Sequence, residues 1–130
     1  MNQAIKEDII PELRLKGFKG SLPHYRRITE KYIHLITFQF DRNGGGFVIE
    51  IAQTFNKPFE THWGKIIEVN KLTTHDLTER IRIHPKGCLE NSLTEDWFRY
   101  DKKYFFQKDI YRRITKQVLE QMSIIDDYWN

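Results

Sequence analysis

Residues 32 to 55 constrain the chain most. Along Tyr32 to Phe40, Ile36, Phe38 and Phe40 would share one side of an extended backbone, with Thr37 and Gln39 on the other. Along Phe47 to Phe55, Phe47, Ile49 and Ile51 alternate with Val48, Glu50 and Ala52. A period of two is the mark of a strand. Between the runs stands Asp41-Arg42-Asn43-Gly44-Gly45-Gly46, where glycine gives positive φ without steric cost. Two alternating runs about a Gly-rich loop predict an antiparallel hairpin.

Helical spacing brackets this hairpin. Ile5, Ile9 and Leu13 lie four residues apart, which predicts a first helix with a kink or break near Ile10, ahead of Pro11. Gly17 is placed to end it. A turn at Phe18 to Pro23 leads to a strand at His24 to Thr29. Residues 56 to 76 carry little pattern beyond a short strand at Lys65 to Val69. Leu77 to His84 reads as a strand in which Ile81 and Ile83 alternate with Arg80, Arg82 and His84, and Asp96 to Tyr100 as a fifth. Phe106, Ile110, Ile114, Val118 and Met122 form a stripe on a last helix from about Tyr104 to Ser123. The expected fold class is therefore α+β: an antiparallel sheet of four or five strands, with N-terminal and C-terminal helices packed on one face. Residues 1–130 are expected to make a single domain, whose other sheet face turns Thr37, Gln39, Glu50, Arg80 and Arg82 to solvent. The tail Ile124 to Asn130 is too aromatic for a frayed end. It is expected to pack back on the sheet, docking on another subunit being the alternative.

Several short pieces together resemble a known family. Leu15-Lys16-Gly17-Phe18-Lys19 is followed by Tyr25-Arg26, then Leu35 to Gln39, Gly46 to Ile49, Glu79-Arg80-Ile81, and Trp97 before the terminal helix. In that order they resemble the domain of unknown function 4304 family. The chain departs from the pattern at Leu77-Thr78, where a Cys or His would be expected shortly before the Arg-Ile pair. The resemblance implies an α+β fold in bacterial proteins and carries no activity with it.

Composition narrows the function classes. Lys and Arg number 21 against 18 Asp and Glu, a net +3 that argues only weakly for a nucleic-acid partner. Cys88 is the one cysteine, so no intramolecular disulfide forms. The opening MNQAIKEDIIPELR interrupts its apolar positions with charge and does not read as a signal peptide. No run reaches the roughly 20 apolar residues that span a bilayer. A cytoplasmic protein with no membrane partner is expected.

The common chemical signatures are each incomplete in this chain. Gly44 to Gly46 are followed by Phe-Val-Ile, a strand, where a phosphate loop needs Lys and a helix N-terminus. Gly44 to Ile51 half-match an RNA-recognition octamer, but Gly45 and Glu50 stand where stacking aromatics belong. His24, His34, His62, His75 and His84 have no metal-ligand spacing and read as scattered surface residues, and His75 and Asp76 as neighbours on opposite strand faces. Ala52 stands where a nuclease built on Asp41 and Glu50 would need Lys. Cys88 falls in a polar loop and lacks an assembled base other than nearby His84.

No catalytic residue, metal ligand or cofactor is assigned on this basis. The expected role is a non-enzymatic module that binds another protein, such as an immunity or accessory factor, with Gln39, Glu50, Arg80 and Arg82 as contact residues. One alternative is a nucleic-acid-binding module using residues 99–116, where seven Lys or Arg face two Asp. The other is an enzyme of unfamiliar type around Cys88 and His84.

Overall fold

The computed structural model describes residues 1–61, 63–85, 87–89, 97–100 and 110–129, with the backbone alone at 87–89. The chain begins as α1 (Asn2–Ala4), widens through a π turn (Ile5–Ile9) and continues as α2 (Ile10–Leu15). Pro11 lies in the first turn of α2, where its missing N–H is least costly. The wider π turn just before it lets the helix run on, so the expected break is a local change of pitch. Ile5, Ile9 and Leu13 stay on one buried face. The helix stops in a Schellman motif: Phe18 N–H donates to the Leu13 carbonyl and Gly17 N–H to that of Arg14, both at 3.0 Å. Gly17 takes the left-handed conformation that the motif requires, φ +92°.

Among the described residues nine strands follow: β1 (Lys19–Ser21), β2 (His24–Ile28), β3 (Tyr32–Phe40), β4 (Gly46–Phe55), β5 (Phe59–Glu60), β6 (Ile66–Ile67), β7 (Ile81–His84), β8 (Gly87–Leu89) and β9 (Phe98–Arg99). Helices α3 (Ile110–Glu120) and α4 (Met122–Tyr128) close the chain. The main sheet runs β1-β2-β3-β4-β7-β8 with β9 also paired to β4, and β5 with β6 forms a separate ribbon. Every pairing is antiparallel. The architecture is α+β, as the alternation implied. The strand expected from Leu77 begins only at Ile81.

In the hairpin Ile36 faces Ile51, Phe38 faces Ile49 and Phe40 faces Phe47. This apolar row, joined by Tyr25, Ile83 and Phe98, packs on the helices through Ile5, Ile9, Leu13, Ile114, Val118 and Ile125. Asp41 organises the glycine loop. Its side chain accepts from Asn43 N–H at 3.0 Å, and its carbonyl from Gly44 N–H at 2.8 Å. The glycines serve the turn, with φ +82° at both Gly44 and Gly45.

The second face of the sheet is not open to solvent. Residues 59 to 77 fold across it, and Leu72 and Leu77 close over Ile33, Leu35 and Ala52 with Phe59, Ile67 and Val69 around them. Thr37 and Glu50, expected at the surface, are 1% and 0% exposed. The reason was in the strands themselves. Ile33, Leu35, Val48 and Ala52 also alternate onto that face, and a sheet apolar on both faces is covered on both.

The histidines are not uniformly superficial either, since His34 and His84 are buried. The tail packs back on the molecule: Ile125 is buried and the Trp129 ring stacks on His34 at 4.6 Å. Within the basic segment, residues 101–109 lie outside the described residues. Arg99 pairs with Asp41 at 2.7 Å, and Arg112 bridges Glu7 and Asp8, so these cations are engaged inside the fold.

Candidate functional site

Strand register builds one polar row across the second face. His24 of β2 lies opposite Thr37 of β3, Thr37 opposite Glu50 of β4, and Glu50 opposite Arg82 of β7. Above the row sits a 3-10 turn, Thr74–Asp76, closed by a capping box in which Asp76 accepts from Thr73 N–H at 2.9 Å. Thr74 donates its hydroxyl to Thr37 Oγ1 at 2.7 Å. Thr37 Oγ1 also lies within hydrogen-bonding distance of His24 Nδ1, at 2.9 Å, which ties the imidazole into the row. The His75 ring meets His24 edge-on at 5.4 Å. His75 and Asp76 therefore belong to a helical turn rather than to opposite faces of a strand.

Glu50 is the electrostatic centre. Arg80 Nε approaches Oε2 to 2.7 Å and Arg82 Nη2 approaches Oε1 to 3.8 Å. Among the described residues neither oxygen receives a well-aligned hydrogen bond, so the carboxylate is held by charge. Arg80 also donates through Nη1 to the carbonyls of Thr74 at 3.0 Å and Leu77 at 3.4 Å. Arg82 lies over Trp97, 5.9 Å from guanidinium carbon to ring centre. A carboxylate this enclosed cannot reach a substrate as a base.

Arg80 forms part of the wall of a cavity of ≈370 Å³, whose other lining residues are Phe59, Thr61, Trp63, His75, Asp76, Leu77 and Thr78. The size is that of a site for one large side chain or a small molecule. Three of the four expected contact residues, Glu50, Arg80 and Arg82, are thus brought together. Gln39 is half-buried opposite Val48, two residues along β3 from Thr37, and among the described residues no hydrogen bond joins it to them. From the sequence His24 and His75 read as scattered surface histidines, and Phe59, Trp63 and Thr74 had no role assigned. The Thr73-x-x-Asp76 spacing of the capping box was the one local signal for this turn.

Among the described residues no three His, Cys, Asp or Glu side chains come together to hold a metal ion. Cys88, expected in a polar loop, has its backbone in β8 opposite Ile83, and its side chain lies outside the described residues. No helix among the described residues is long and apolar enough to cross a membrane.

The model of the family described as Domain of unknown function (DUF4304) matches residues 9–125. The chain belongs to the DUF4304 family. No curated protein and no solved structure matches the chain. Of the DUF4304-like residues read from the sequence, Gly17 and Phe18 form the helix stop, and Arg80 reaches the carboxylate beneath the cavity.

Two histidines tie this DUF4304 fold to pH. Burial lowers the His24 pKa, with His75 and Arg26 adding to the effect and Asp76 opposing it. Burial also lowers that of His34, helped by Arg27 and opposed by the hydrogen bond to Gln53. Unfolded, each would titrate near 6.5, so below that pH the unfolded state binds more protons. Stability is expected to fall as pH drops from 7 toward 5, by at most about 1.4 kcal/mol per pH unit for each histidine. Urea unfolding across that range measures it, and His24→Asn/His34→Gln should flatten the slope.

Proposed function

We propose that this DUF4304 domain is a non-enzymatic module that binds another protein through the groove beside the β5–β6 ribbon. An immunity or accessory factor is one form of such a module. The observation that carries the reading is Trp63, 73% exposed between β5 and β6 and lining the cavity with Phe59 and Arg80, while Ile66 on β6 is 63% exposed. Aromatic residues and Arg are enriched at the buried centres of protein interfaces, where a few such side chains supply most of the affinity. A ribbon of two short strands gains little stability alone, and exposed Trp and Ile side chains on it suit a surface that a partner covers.

A photo-crosslinking amino acid at position 63, compared with position 111 on α3, tests the reading in native cells. Tyr111 is 43% exposed and far from the ribbon in sequence. Position 63 is expected to yield a discrete protein adduct that Ile66→Asp abolishes, with stability changed by no more than about 0.5 kcal/mol. Equal adducts from both positions, or none that responds to Ile66→Asp, would contradict it.

A further inference from the structure

The contacts of Arg80 say which chemistry the groove favours. Nε faces Glu50, and Nη1 serves two main-chain carbonyls. Nη2 is the guanidinium nitrogen that none of these contacts takes, and Arg80 lines the cavity. An arginine whose geometry is already fixed loses little further freedom when it meets an acceptor, and the charged Nη2 donor suits a carboxylate oxygen. Arg80 and Arg82 face the single carboxylate of Glu50, and among the described residues of the lining Arg80 is the one Lys or Arg. Asp76 is the acid in the lining, and one of its oxygens is engaged by Thr73 N–H at the helix cap.

The groove also has an apolar side. Phe59, Trp63 and Leu77 supply it, and His75 shares the lining with Arg80. Resting on the protein-binding reading above, we infer that the partner is a protein segment with an aspartate or glutamate next to an aromatic or large aliphatic side chain. The carboxylate meets Arg80 Nη2, and the apolar side chain enters between Phe59 and Trp63.

The probe is a displayed library of random heptapeptides, selected on the full chain. The recovered peptides are expected to carry an acid within two residues of Trp, Phe or Leu. In solution, changing that acid to its amide should weaken binding about tenfold or more, the effect of one hydrogen bond to a charged group. Trp63→Ala should abolish binding. Arg80→Met alone leaves Glu50 buried without its nearest cation, so the variant used is Glu50→Gln/Arg80→Met, its fold checked by circular dichroism. It should bind the acid and amide peptides equally. Peptides that need Trp63 yet carry no acid, or that bind the double variant unchanged, would overturn the carboxylate inference and leave the groove reading standing. A selection in which nothing depends on Trp63 would overturn both.

Discussion

Trp129→Ala is expected to lower the unfolding free energy by about 3 kcal/mol, while Trp129→Phe stays within about 1 kcal/mol of the parent. The indole stacks on His34 at 4.6 Å and lies 5.3 Å from Phe18. Arg27 reaches both rings, at 5.2 Å from Trp129 and 4.7 Å from Phe18, and donates to His34 Nδ1 and the Lys16 carbonyl. Lys16 in turn pairs with Asp126 at 2.7 Å. One aromatic ring therefore joins α4 to the end of α2 and to β2 and β3. Among the described residues its Nε1 is buried without an acceptor, so phenylalanine keeps the stack and removes an unpaired donor. Urea unfolding of the two variants separates the cases. Equal tolerance of Ala and Phe would show that the ring contributes nothing.

Arg80→Met is expected to cost about 3 kcal/mol, and Glu50→Gln only about 1 kcal/mol, although both break the same ion pair. The asymmetry follows from exposure. Glu50 has no exposed side-chain surface, and once Arg80 is gone its remaining cation lies 3.8 Å away. The Arg80 and Arg82 side chains are 35% and 23% exposed and turn to water when Glu50 becomes neutral. An unpaired buried charge is much more costly than a solvated one. Thermal or urea unfolding of each single variant checks the order, and a Glu50→Gln more damaging than Arg80→Met would reverse the argument.

Much of this fold could be read from residue patterns. The hairpin bounds at Tyr32, Phe40 and Phe55 match the strands, because period-two alternation is a local property of the chain. The stop at Gly17 was legible for the same reason. The cover over the second face was not, because residues 56 to 80 pack through Leu72 and Leu77, five apart in an irregular stretch with no period to detect. Reading Glu50 as exposed followed directly from missing that cover. The Glu50–Arg82 pairing itself was visible once β4 and β7 were taken as neighbours, since their register places them opposite each other. Arg80 joined them for another reason. It precedes β7 and reaches Glu50 from the chain segment after the 3-10 turn, a placement that no strand pattern encodes.

Buried Glu50 holds Arg80 in a fixed position on the wall of the groove. A double-mutant cycle through Glu50→Gln, Arg80→Met and the combined variant measures that coupling directly. The combined variant is expected to recover most of the loss caused by Arg80→Met, with an interaction free energy of about 3 kcal/mol, because it leaves no charge stranded in the sheet. Losses that simply add would contradict it.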